Sequence, residues 1–134
     1  MSLALLALTA ALIGSLSVRV IDGDTLELCA QDVDVCEVVR IANIDAPEMR
    51  GAGCPFEDEG GDAAAAAAVA ILARADAVRI EERLHKSHGR TVARVTVDVD
   101  GRARDLGLML IAEGVAVWRA PDDRTGDAPA WCGR

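Results

Sequence analysis

Tyrosine is missing from this 134-residue chain, and Phe56, Trp118 and Trp131 are its only aromatic residues. A surface that grips bases mainly by stacking needs more aromatic faces than that. Lysine is reduced to Lys86, against thirteen arginines, and the formal charge is -8 with a pI near 4.6. That sign excludes an extended basic surface for holding a polyanion tightly, but not local contacts to phosphate. The longest apolar run, Leu3 to Ile13 with Thr9 its one polar member, is too short to span a bilayer. No two of the four cysteines, Cys29, Cys36, Cys54 and Cys132, form a CxxC pair, and the set lacks zinc-finger spacing.

What remains is 51% hydrophobic, supplied mainly by Ala, Val, Leu and Ile, in a length that suits one domain with a genuine core. The Leu3–Ile13 run has the length of a signal-peptide apolar region, and Ser15-Leu16-Ser17 offers small residues where cleavage would occur. No basic residue precedes the run, so a buried N-terminal helix and a lone membrane anchor are the alternatives. The expected organisation is a leader over 1–17, a folded domain over 18–120 and an irregular tail over 121–134. With a leader, the protein is expected to be secreted, periplasmic or envelope-facing. An even cysteine count in that setting suggests two disulfides. Cys29–Cys36 would lie across a hairpin, and Cys54–Cys132 would fasten a loop to the tail. Other pairings, or simple buried thiols, stay open.

Along the chain, Ser17–Ile21, Thr25–Cys29, Val35–Ile41, Val78–Leu84 and Thr91–Val99 alternate or cluster apolar residues as strands do. Met49–Gly61 reads as loop, then Ala63–Ala75 as a helix packing through Val69, Leu72, Ala65 and Ala68, with Ile71 at the stripe's edge. His85–Arg90 reads as a turn and Asp100-Gly101 as a hairpin. A second helix over Asp105–Glu113 buries Leu106, Leu110 and Met109 or Ile111, and Gly114 ends it. A short terminal strand follows over Val115–Trp118. The fold expected is mainly β with α: five short strands in a partly open barrel, one helix inserted after the third strand and one near the C-terminus. Trp118 is expected to pack on the core.

Two acidic turns organise the chemistry. Asp22-Gly23-Asp24 ends one strand, and Asp45-Ala46-Pro47-Glu48 follows another about twenty residues later. Asp24 and Asp45 offer the oxygen ligands that Ca²⁺ or Mg²⁺ requires. Glu48, beyond the rigid Pro47, is placed to activate a water as general base. Arg40 and Arg90 supply planar, permanently charged forks for a phosphate and for the charge that develops on it during displacement. Alone, an Asp-Gly-Asp turn is commonplace; five such groups at this spacing are not. His85 and His88 sit in one polar turn and read as solvated residues before they read as metal ligands.

Val20-Ile21-Asp22-Gly23-Asp24-Thr25-Leu26, then Val39-Arg40-Ile41-Ala42-Asn43-Ile44-Asp45-Ala46-Pro47-Glu48, then Gly89-Arg90, closely resemble the thermonuclease family, the staphylococcal or micrococcal nuclease-like domains. The likeness runs on through Asp105-Leu106-Gly107 and Ala112–Val117. It implies an OB-fold barrel and Ca²⁺-dependent hydrolysis of DNA and RNA phosphodiesters. By the same resemblance, Asp24 and Asp45 match the metal ligands, with Ala46 ligating through its main-chain carbonyl. Arg40, Glu48 and Arg90 match the catalytic trio, and Asp22 supports the metal site without ligating. Two departures stand out. His88 replaces a usual tyrosine, removing a possible phosphate or base contact, and the family's groove lysines are missing. DNA or RNA is therefore expected as a transient substrate of a monomer, without a stable high-affinity complex. A noncatalytic OB-type binding or assembly module that has kept the site residues is the competing expectation.

Overall fold

The computed structural model of the chain describes residues 10–13, 16–47 and 54–120, of which 10–12 and 56–58 are described by backbone alone. Among these residues the architecture is α+β, with two helices and a mixed sheet. The strands are β1 (Ala10–Ile13), β2 (Leu16–Asp22), β3 (Thr25–Ala30), β4 (Val35–Ile41) and β5 (Ile44–Asp45) before the first helix, α1 (Pro55–Ala73). Then come β6 (Ala75–Ser87), β7 (Arg90–Val99), β8 (Arg102–Asp105), helix α2 (Leu106–Ala112) and β9 (Val117–Trp118).

The large sheet runs β1-β2-β3-β4-β7-β6, with β8 also pairing β7; a second, two-stranded sheet joins β5 to β9. Neighbours are antiparallel except β4 and β7, which run parallel through Val39↔Thr91, Arg40↔Val92 and Ile41↔Ala93. Strand β7 organises the core because its alternation is strict: Ala93, Val95, Val97 and Val99 are buried on one face. Arg94 is exposed, with Thr96 and Asp98 half-buried, on the other face. Each valine so buried is worth about 1.5–3 kcal/mol of transfer free energy. Leu26, Val39, Ile41, Ile44, Leu106 and Leu110 complete the interior. The hairpin turns at His88-Gly89 and Asp100-Gly101 put both central residues at positive φ, as two-residue type I′ turns demand.

Several expectations are corrected. Beyond the expected strands stand β1, β5 and β8, each two to four residues long and recruited by pairing rather than by its own periodicity, while the terminal strand expected over Val115–Trp118 contracts to β9. Residues 10–13 of the N-terminal apolar run are not helical: they pair with Ile13↔Leu16 and Ala10↔Arg19, and Ile13 is buried. Leu16 and Ser17 belong to β2. Helix α1 begins at Pro55, within the stretch expected to be loop. Pro suits the first helical turn, where its missing N–H costs nothing. Gly60 and Gly61 do not break the helix, because a Cβ at Gly60 would lie 3.0 Å from Pro47 Cγ. Close packing there requires the small residue that propensity disfavours. The packing stripe of α1 is Ala64, Ala65, Ala68, Ile71 and Leu72, with Val69 only partly buried. The turn expected over His85–Arg90 contracts to two residues because β6 extends to Ser87. Trp118 is 60% exposed, since a two-residue strand at the edge of a small sheet offers nothing to cover it.

Candidate functional site

Helix α1 sets the two acidic turns side by side. A Cβ placed on Gly23 would stand 2.5 Å from Ala64 Cβ and 3.2 Å from Ala46 Cβ. The first turn, the second turn and the helix therefore meet at one point, and only glycine and alanine fit there. This is the work of the alanine-rich helix: a thin face brings its backbone close to both turns.

Across that junction Asp24 Oδ2 accepts from the Ala46 N–H at 2.9 Å, and Asp24 Oδ1 accepts from the Thr25 hydroxyl at 2.9 Å. Asp24 and Asp45 are both buried. Arg40 reaches them from β4. Its Nη2 donates to Asp45 Oδ1 at 2.9 Å and stands 3.4 Å from Asp24 Oδ2, while Nη1 donates to the carbonyls of Ile41 and Ile44 at 2.8 Å each. Asp22, half-buried, faces Thr25 across the first turn. Ala46 follows Asp45 and is buried. Glu48 and Cys132 lie outside the described residues.

On the other side of Arg40 opens a pocket of about 180 Å³, lined by Arg40, Asn43, His85, His88, Arg90 and Arg119 among others. Arg90, at the start of β7, has its Nε 3.5 Å from the Ser87 carbonyl. His85 is half-buried on β6, and His88 is exposed in the turn. The carboxylate pair and the cationic pocket thus share a wall, and that wall is made of arginine.

Arg119 belongs to this wall and has no counterpart among the sequence expectations. Its Nη1 is 3.7 Å from Asp45 Oδ1. Strand β9 brings it there through Ile44↔Trp118 and Asp45↔Val117, and the Arg119 N–H donates to the Asn43 carbonyl at 2.7 Å. Asn43 takes positive φ, which turns the chain between β4 and β5. No local pattern around Arg119 signals this, because the pairing spans more than seventy residues.

Elsewhere the charge is arranged as ion pairs on the sheet's outer face. Arg83 donates to Glu37 at 2.8 Å and, with lesser help from Thr91 and Lys86, holds that carboxyl down at about 2 against the opposing effect of burial. Arg79 likewise lowers Asp98, through a paired hydrogen bond of 2.8 and 2.9 Å. Cys29 and Cys36, register partners across β3 and β4, form a disulfide, and Cys54 is disulfide-bonded as well. Glu27, Cys29 and Cys36 converge as ligands of a metal would, but their two sulfurs are consumed by that bond.

The model of a protein family described as staphylococcal nuclease homologue matches residues 38–130. The matched span holds Arg40, Asp45, Ala46, Glu48, Arg90 and Arg119; the Asp22-Gly23-Asp24 turn precedes it. No curated protein matches the chain.

Proposed function

The chain belongs to the staphylococcal nuclease homologue family, and on that premise we propose that it hydrolyses phosphodiester bonds of DNA or RNA in a Ca²⁺-dependent reaction. The observation that carries the reading is the convergence of Asp24 and Asp45 on one guanidinium, Arg40, which also walls a pocket containing Arg90. Two anionic oxygens that meet at a single cationic point form a donor set of the kind a hard divalent cation takes. The residues therefore fit the ion: Asp24, Asp45 and the Ala46 carbonyl would hold Ca²⁺. Bound there, it supplies positive charge against the phosphoryl oxygens.

Arg90 then takes the remaining phosphoryl oxygens as a permanently charged fork, and Arg40, its Nη atoms held by Asp45, Ile41 and Ile44, adds its charge from the wall to stabilise the negative charge that builds as water adds. Glu48 accepts the proton from the attacking water, the new P–O bond forms in line, and the ester P–O bond breaks toward the leaving oxygen. Burial of the carboxylates and of Arg40 favours this chemistry, because charges fixed in a low-dielectric wall need no reorganisation as the reaction proceeds.

The barrel belongs to the same proposal. The edge strands β1 and β6 approach one another, which supports an OB-type closure of the sheet. Residues 18–120 hold the nuclease-like site in this reading, and 121–134 are its tail. The Cys29–Cys36 bond supports an extracytoplasmic home, and pairing of Cys54 with Cys132 completes the framework. The protein acts as a monomer on a transient substrate.

The test is degradation of plasmid and single-stranded DNA and of RNA with Ca²⁺, then with chelator, by wild type, Glu48→Gln and Arg40→Ala. Glu48→Gln should lower kcat at least about 100-fold, as loss of one preorganised group does elsewhere, and chelator should abolish cleavage. Wild-type activity equal to that of both variants would sink the mechanism. A chain that binds oligonucleotides without cutting them is instead the noncatalytic module.

A further inference from the structure

The site has more cationic reach than two arginines supply, and the rest of the surface has little to offer a polyanion. The formal charge is -8, and the only lysine, Lys86, donates to the Thr91 hydroxyl at 2.9 Å. The cations that face the pocket are the ones placed to meet a strand of nucleic acid at the site. We propose that Arg119 is a third phosphate-binding residue of this site, gripping the substrate strand beside Arg40 and Arg90. The proposal rests on the nuclease reading and deepens it, by saying how an acidic chain holds its substrate.

Three observations support the assignment. The backbone of Arg119 is fixed at the site by β9 pairing with β5 and by its N–H bond to the Asn43 carbonyl at 2.7 Å. Its side chain lines the pocket together with Arg40, Arg90, His85 and His88, and stays partly open to solvent. Its separation from Asp45 is 3.7 Å, whereas Arg40 donates to the same oxygen at 2.9 Å. Both guanidiniums stand beside that oxygen, Arg40 within hydrogen-bond distance. In this reading three guanidiniums balance the carboxylates of Asp24, Asp45 and Glu48, and a bound divalent cation tips the site positive. An arginine in such a place suits a phosphate oxygen better than any other side chain, because its fork donates two parallel hydrogen bonds.

The role is binding rather than bond-breaking, which separates it from a merely structural clamp. In the Glu48→Gln background with Ca²⁺ present, anisotropy of a fluorescent single-stranded DNA oligonucleotide is titrated across a series of NaCl concentrations. Arg119→Gln should weaken binding about tenfold or more, the worth of one charged hydrogen bond. It should also flatten the plot of log affinity against log salt by about 0.7, the contribution of one phosphate contact on a single strand. Arg119→Lys should restore the slope but not all of the affinity. Thermal midpoint should match the parent, Ca²⁺ affinity, read by terbium luminescence, should not fall, and in the active chain Arg119→Gln should raise KM and leave kcat nearly unchanged. An unchanged salt slope overturns the proposal, as does a loss of affinity that tracks a lost thermal midpoint or lost Ca²⁺ binding. If the parent binds with the expected slope but the active chain never cleaves, the nuclease reading fails and Arg119 stands. If the parent shows no binding, both fail.

Discussion

Replacing Gly23 by alanine tests whether the alanine helix really clamps the two acidic turns. The added Cβ would sit 2.5 Å from Ala64 Cβ, 3.1 Å from the Ala64 carbonyl carbon and 3.2 Å from Ala46 Cβ. The first separation is about 1 Å or more inside ordinary carbon–carbon contact, and all three atoms belong to rigid backbone or a one-carbon side chain. No rotamer can swing away, so helix α1 or the turn must move, at a cost of about 1–3 kcal/mol. For a domain of this size that lowers the thermal midpoint by roughly 3–12 °C. The displacement also pulls Asp24 away from the Ala46 N–H, now at 2.9 Å, so oligonucleotide cleavage should fall by more than the fraction unfolded explains. Ala64→Gly opens space for the new methyl. Alone it costs about 1 kcal/mol of helix propensity, but in the double variant the two changes should couple favourably by about 1 kcal/mol. Urea denaturation of the four proteins measures the cycle. A Gly23→Ala chain within 0.5 kcal/mol of wild type, or a cycle with no coupling, would refute the close contact between helix and turn.

Two further outcomes follow from ordinary parts of the fold. Cys29→Ser with Cys36→Ser removes a bond that closes a short hairpin, and should lower urea stability by about 2 kcal/mol; no change would mean that the β3–β4 register is held by pairing alone. Glu37 is depressed to about 2, chiefly by its bond to Arg83. A depressed carboxyl lends stability that is complete above its ordinary value of 4.5 and is lost as pH falls through the folded value near 2. Because Arg83 is largely exposed, Glu37→Gln should cost only about 0.5 kcal/mol at pH 7. That gap between variant and wild type should close as the pH is taken from 4.5 to 2, and a gap independent of pH would contradict the pairing.

Much of the architecture is legible along the chain. Val35–Ile41 matches its expected limits, and Thr91–Val99 and Thr25–Cys29 each fall one residue short of the strands they predict. Alternation reports a half-buried strand directly, because the side-chain period is two whatever lies opposite. Asp100-Gly101 was legible for a similar reason: a residue pair tolerant of positive φ is enough to specify the turn. The α1 boundary was not. Gly60 and Gly61 argue against helix locally, and the close approach that makes Gly60 useful there comes from Pro47, which lies outside the helix.

The candidate site divides in the same way. The residue types of Asp24, Arg40, Asp45 and Arg90, and the turns that carry the two aspartates, are properties of short stretches of sequence, and their chemistry is readable before any fold is known. That Arg40 stands between the two carboxylates, that Gly23 and Ala46 meet at Ala64, and that Arg119 joins the same wall are decisions of the tertiary structure. Each depends on contacts between segments distant in the chain, where no local period or propensity records which partner will arrive. The acidic turn determined which carboxylate the chain offers; packing against a thin helix and a late two-residue strand determined what that carboxylate faces.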